Sequence, residues 1–435
     1  MSMSAPSTRL ILSFIAILSV SYSVTGAPAT KRGIQHDPFP FFPGFDIQAV
    51  ADLSEQLPSH SWEYGFASEA ILEIYNPELS VYGSNPFPPL VIDPSSVKAL
   101  AYAQSKIQLN LSPNAGANVL IDGDGATGDP ASLGLSATLL GLSNSTYTKA
   151  AELTMGYLVG SAPRWSNGAI SHRADVAELW SDHIYMAPPF LAYYAAVTLN
   201  STLLREAVHQ CSLYRDVLVA SASNPSVNAN LTNAEKAELN GLWHHIIGPQ
   251  STDLGLWSTG NGWAAGGITR VLATVMKAPV VLTLGWKDEA VSTLKAILKE
   301  ILDPLVSYQE ITVDPFNGFL RNYLDDRNGT ETGGHGFGEI SGSSMLAAVV
   351  YRLAVLAPEI VTPSSPYLAF AESIRTTIGS GNHVSADGLV APTADPLCWQ
   401  CTVPFTSGSP EGQSFVVAMY AGWRDCVLAG ICPNN

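Results

Sequence analysis

Helical periodicity runs almost without a break through this chain. Apolar residues recur three and four apart in eleven runs: 62–74, 95–108, 131–142, 147–158, 184–197, 203–219, 263–275, 289–305, 340–356, 367–378 and 413–428. Alternating, β-like stretches are scarce, 311–314 and 384–391 being the better candidates. Only 13% of the residues are charged, about half the usual ~25%. Helices so poor in charge are apolar around most of their circumference and need cover on every side. A closed ring of six helical hairpins, an all-α (α/α)6 barrel, supplies that cover, and its end loops can shape a pocket. No fixed-period repeat favours an open solenoid, and no internal boundary is visible. The expected organisation is a secretory signal over 1–26, an irregular Pro- and Phe-rich segment over 27–58, and one domain over 59–435.

The N-terminus has the three parts of a signal peptide: Arg9, the apolar stretch 10–20, and small residues ahead of a cut after Gly26 or Ala27. Lys31-Arg32 offers a dibasic processing site. Five N-x-S/T sequons, at Asn110, Asn144, Asn200, Asn230 and Asn328, agree with a secreted, extracellular protein. The five cysteines divide unevenly. Cys398, Cys401, Cys426 and Cys432 cluster near the C-terminus, where one or two disulfides are expected, and Cys211 lies in a helical run and should be buried and free. A formal charge of -16 with no basic cluster argues against nucleic acid. No later apolar run is long enough to span a membrane.

The stretch 179–190, LWSDHIYMAPPF, sets Asp182 among Trp180, Ile184, Tyr185, Met186 and Phe190. Aromatic burial disfavours a charged carboxyl and raises its pKa, which makes a general acid. The competing reading is a helix N-cap ahead of Pro188 and Pro189. Asp129-Pro130 poses the same choice, between a cap with Pro at the first helical position and a second site carboxylate. The preceding Asp122-Gly-Asp124 lacks the ligand ladder of a calcium loop. Gly241-Leu-Trp-His-His245 and Trp257-Ser-Thr-Gly-Asn-Gly-Trp263 put imidazole beside aromatic faces in glycine-rich loops, a combination suited to sugar rings. Cys398-Trp-Gln-Cys401 has no partner motif at zinc spacing, so no metal is expected. For His335 in the 331–344 connector, an ordinary loop role weighs as much as a functional one.

In this order and spacing, the motifs around Asp182, His245, Trp257 to Trp263, and Glu339-Ile-Ser341 resemble the unsaturated rhamnogalacturonyl hydrolases of glycoside hydrolase family 105. That family is related to the family 88 unsaturated glucuronyl hydrolases. The resemblance covers roughly 62–422. It implies an (α/α)6 barrel, no cofactor, and removal of a 4,5-unsaturated uronic acid from the non-reducing end of lyase-generated oligosaccharides by hydration of a vinyl ether. It implies Asp182 as proton donor and Asp129 as a second catalytic carboxylate. Trp180, His245, Trp257, Trp263 and, from the first helix, Tyr64 would bind substrate. The position two after Trp257, where relatives often carry Arg, is Thr259, so His172, or else Arg173, is expected to take the cationic role. The expected partner is an unsaturated oligosaccharide, with no nucleic acid or membrane, and the chain is expected to be a monomer. The alternatives are an (α/α)6 glycosidase or lyase for another cell-wall polysaccharide and a non-catalytic carbohydrate-binding protein.

Overall fold

Six helices hidden on nearly every face form the centre of the molecule. The computed structural model describes residues 37–88 and 92–434, which belong to one unit starting at Asp37. The signal expected over 1–26 lies outside the described residues, as do residues 27–36. Twelve helices of eight residues or more occur among the described residues: α1 (Ile47–Gln56), α2 (Ser61–Tyr75), α3 (Lys98–Lys106), α4 (Gly134–Gly141), α5 (Ser145–Gly160), α6 (Pro188–Val197), α7 (Ser201–Leu218), α8 (Ser258–Lys277), α9 (Lys287–Ser307), α10 (Ile340–Leu356), α11 (Pro366–Ser380) and α12 (Pro410–Leu428). The even-numbered helices touch in sequence, α2 to α4 and onward to α12, and α12 returns to α2. The odd-numbered helices pack outside them. This is the (α/α)6 barrel expected from the periodicity.

Burial explains which helix goes where. α8 is buried from Ser258 through Val275 and α10 from Ile340 through Ala354, whereas outer α9 buries one stripe, from Ala290 through Leu305 at helical spacing. Close approach needs small residues. A Cβ on Gly267 would sit 2.1 Å from the Ile184 carbonyl oxygen, so a side chain there would push α8 off the turn at His183–Met186.

The irregular segment expected over 27–58 needs correction, because it contains α1. Asp46 caps that helix by accepting from the Ala49 amide (3.1 Å), and Ile47, Val50, Ala51 and Ser54 form a buried face against α12 and α2. The Pro- and Phe-rich residues just before Asp46 masked the pattern. The strand candidates also differ. Residues 309–312 form a helical turn, leaving 311–314 a single bridge, Val313 to Leu320, and 384–391 likewise contains a single bridge, Val384 to Val390. The two strands found among the described residues, β1 (Leu179–Trp180) and β2 (Ile246–Ile247), pair antiparallel, with Leu179 opposite Ile247 and Trp180 opposite Ile246. Two-residue strands are too short to leave a periodic trace.

Two disulfides, Cys398–Cys401 and Cys426–Cys432, account for the C-terminal cluster, and Cys211 is free and buried. No described helix is long and apolar enough to cross a membrane.

Candidate active site

The β1–β2 pair joins two distant motifs. Beside it the Ser181 amide donates to the His245 carbonyl (2.9 Å), which sets the Asp182 side chain against the His245 ring. Asp182 occupies the N-cap position of the turn at His183–Met186, but its side chain makes no capping hydrogen bond. Its Oδ2 instead accepts from Ser181 Oγ (3.0 Å) and lies 3.4 Å from His245 Nε2. Asp129 is not a cap either. It sits inside the helical turn Gly128–Ala131, whose N-cap is Thr127, with Oδ1 3.8 Å from His172 Nε2.

These groups line one cleft of about 750 Å³, together with Trp62, Arg173, Trp180, Trp257, Trp399 and Glu411. It opens at the end of the ring where the N-termini of α2, α8 and α12 lie, since Trp62, Trp257 and Glu411 all sit at those starts. Helix N-termini carry partial positive charge, so this end suits an anion despite the net negative charge of the chain. Trp180 stacks on His172 (centroids 4.8 Å apart) and meets His245 and Trp399 edge-on. Trp257 lies 4.5 Å from His245 and donates through Nε1–H to Asn322 Oδ1 (2.8 Å).

Protonation in the cleft is unusual. Burial, with the Asp182 charge adding to it, raises Asp129 to about 8, so this carboxyl keeps its proton at neutral pH. Burial also raises Glu411 well above the carboxylate range, again with Asp182 adding to it, while Trp62 Nε1–H donates to Glu411 Oε1 (2.8 Å). For His245, burial opposes the charge, but Asp182 and Asp253 outweigh it and raise the imidazole to about 9. Asp253 Oδ2 lies 2.9 Å from His245 Nδ1 and accepts the Tyr323 hydroxyl at 2.5 Å. His245 is thus a cation held between two carboxylates.

Six of the eight residues expected at a site line this cleft: Asp182, Asp129, Trp180, His172, His245 and Trp257. Trp263 does not. It is fully buried among Phe66, Tyr185 and Phe415, with centroids 4.6–4.9 Å away, because six residues into α8 its side chain has turned into the core. Tyr64 does not line the cleft either; its ring lies under Lys106 Nζ (4.8 Å). Trp62 takes its place, since residues two apart on a helix point to nearly opposite sides. The charge expected on His172 is absent. Burial, assisted by His183 and Arg173, holds its pKa well below the ordinary value, so the ring is neutral. Arg173 is the guanidinium in the cleft wall, its Nη2–H donating to the Asp124 carbonyl (3.1 Å). Thr259 is fully buried and points to Glu339 (3.4 Å), which caps α10. No cluster of three or more metal-ligating side chains occurs among the described residues.

Sequence reasoning missed Asp253, Glu411 and Trp399. Asp253 and Glu411 carry no local signature, because each acts on a partner brought close only by folding. Trp399 did leave a signal, an aromatic residue inside a four-residue cysteine ring.

A Glycosyl Hydrolase Family 88 model matches residues 137–352. The fold is similar to that of a possible member of glycoside hydrolase family 105 from Salmonella enterica serovar Paratyphi A, at 15% identity over 92% of this chain and 99% of that one (TM-score 0.59). It is also similar to an unsaturated glucuronyl hydrolase specific for heparin, at 12% identity over 89% and 98% (TM-score 0.56). An α-1,6-mannanase from Salegentibacter sp. HEL1_6 shares it too, at 13% identity over 88% and 100% (TM-score 0.54), so the barrel alone leaves the reaction open. No curated protein matches the chain by sequence. The barrel and the family match together define a glycoside hydrolase. Over residues 137–352 the chain matches family 88, and its barrel is shared with the family 105 and family 88 structures.

Proposed function

We propose that this glycoside hydrolase removes a 4,5-unsaturated uronic acid from the non-reducing end of lyase-generated oligosaccharides, with rhamnogalacturonan-type fragments as its substrates. The observation that carries this reading is a carboxyl, Asp129, raised to about 8 and so protonated at neutral pH, with Asp182 in the same aromatic cleft as Arg173 and cationic His245. Chemistry that starts by protonating carbon needs a stored proton and a pocket tolerant of an anionic sugar.

Asp182 delivers the proton to C4 of the enol ether. Positive charge develops over C5 and the ring oxygen, flanked by carboxylate and aromatic faces. Asp182, now a carboxylate, takes a proton from water as that water adds to C5. The hemiketal so formed opens by cleavage of the bond between C5 and the ring oxygen. The C1 centre left behind expels the attached sugar as an alcohol, giving a 5-keto, 1-aldehyde product. The proton that Asp182 delivers is the one Asp129 holds at rest, and it returns to Asp129 once water has restored Asp182. Arg173 binds the uronate carboxylate, the role that neutral His172 cannot fill. His245, aligned by Asp253 and Tyr323, bonds a ring hydroxyl.

Secretion belongs to the same proposal. Two disulfides and exposed sequon residues at Asn110, Asn144, Asn200 and Asn230 support an oxidising, extracytoplasmic route.

The test is spectroscopic. Unsaturated oligosaccharides absorb in the ultraviolet through the conjugated double bond, and the wild-type protein should abolish that absorbance as the shortened sugar appears. Release of sugar from saturated ends, with the absorbance intact, would overturn the reading.

A further inference from the structure

The segment joining α11 to α12 contains a ring of four residues closed by the Cys398–Cys401 disulfide. Inside it, Trp399 and Gln400 part ways. Trp399 lines the cleft, edge-on to Trp180 (5.5 Å) and to His245 (5.4 Å). Gln400 is exposed, and its carbonyl lies 2.9 Å from His335 Nε2. The ring is also held from within, the Cys401 amide donating to the Cys398 carbonyl (2.8 Å) and the Cys398 amide to Asp395 (3.0 Å). Asn322, whose Oδ1 takes the Trp257 indole proton, reaches the Trp399 carbonyl with its Nδ2 (3.5 Å). Trp399 Nε1–H is shielded from solvent and has no hydrogen-bond partner. A shielded indole N–H left unpaired costs free energy that a ligand acceptor can recover. Pro396 and Leu397 extend the same wall outward, Leu397 being 60% exposed.

We propose that Trp399 is a specificity-determining residue, held by the Cys398–Cys401 ring, that receives the sugar attached to the departing uronic acid. This rests on the reaction assigned above. The indole face stacks on the apolar face of that second sugar, Nε1–H donates to one of its hydroxyls, and Leu397 covers its outer edge. The disulfide keeps the indole in place before substrate arrives, which lowers the ordering cost of binding. Without it, Trp399 would sit on an exposed loop free to swing out of the cleft.

Two substrates separate this role from a structural one: an unsaturated disaccharide, and an unsaturated uronide whose aglycone is a methyl group. Trp399→Ala should raise KM for the disaccharide on the order of tenfold, a loss matching one aromatic contact, with kcat changed far less. It should leave KM for the methyl uronide within about twofold. Trp399→Phe, which keeps a ring but lacks the N–H, should fall between wild type and Trp399→Ala. The double substitution Cys398→Ser and Cys401→Ser should shift KM in the same substrate-dependent way, whereas Cys426→Ser with Cys432→Ser should not. Equal effects of Trp399→Ala on both substrates, or a thermal shift in the Cys398/Cys401 variant with KM unchanged, would overturn the proposal. If the wild type consumes neither unsaturated substrate, the underlying reaction is wrong; if it consumes both and the variants show no selectivity, only the role of Trp399 fails.

Discussion

The two ends of the inner ring bury charge in opposite ways. In the C-terminal halves of the inner helices, every buried carboxylate meets a guanidinium. Glu73 of α2 lies 2.5 Å from Arg270 of α8 and 2.6 Å from Arg352 of α10, Glu69 lies 3.1 Å from Arg270, and Arg352 reaches on to Asp425 of α12. Burial pushes Glu69 up to about 7, yet Arg270 opposes that push. At the N-terminal end, Asp129, Asp182 and Glu411 instead crowd one cleft, and the Asp182 charge adds to burial in raising both of the others. One end is compensated within the protein. The other is left for a ligand to complete, the arrangement expected where local stability is traded for chemistry.

Three substitutions test that contrast, and the largest effect falls at the cleft. Asp182→Asn keeps the shape of the side chain and removes its proton chemistry, so turnover should fall by about 10³-fold or more, the scale of a lost general acid–base group. Its thermal midpoint should hold or rise, since a charge that crowds Asp129 and Glu411 is gone. Near-wild-type turnover would remove Asp182 from the mechanism. At the opposite end the balance should invert. Arg270→Met leaves Glu69 and Glu73 buried with less compensation, and should cost about 3–5 kcal/mol of stability, the range for breaking a buried ion pair. Activity per folded molecule should change little. Denaturant unfolding and active-site-normalised rates measure the two separately, and an unaltered midpoint would refute the idea that this end is held together by its pairs.

Legibility in the sequence divides along the same line. The inner helices could be read because an element buried on all sides must be apolar on all sides, and 340–356 coincides with α10 residue for residue. α1 could not, because prolines and phenylalanines crowd its start. Within the site, the stretch around Asp182 stood out by composition, an acid among aromatics. Trp263 and Tyr64 were misplaced by helix phase: a motif resemblance matches positions along the chain, whereas the wall is chosen by rotation about each helix axis. The charges were harder still. Whether His172 is a cation depends on burial and on neighbours from other segments, and the Asp182 charge reaches Asp129 only when the turns at Gly128–Ala131 and His183–Met186 pack together.

The smallest of the three effects is the most specific to the cleft. Asp129 has a folded-state pKa of about 8 against an ordinary 3.8, so the folded protein binds this proton more tightly than the unfolded chain. The sign follows from linkage: stability is lost steadily as pH rises from about 4 to about 8 and levels off above, because the unfolded chain ionises first. Asp129→Asn cannot ionise and should lack that loss. Its stability relative to wild type should therefore be near zero at pH 4 and positive by about 2 kcal/mol at pH 9, less than the full shift converts to, because water can relax around a charge in an open cleft. Glu69 titrates in the same direction over a lower window, between 4.5 and about 7, but it is present in both proteins and cancels in the difference. The gain should thus extend to pH 8, beyond the Glu69 window. A difference curve that is flat with pH would mean that Asp129 holds no proton at neutral pH, and would leave the cleft without its acid store.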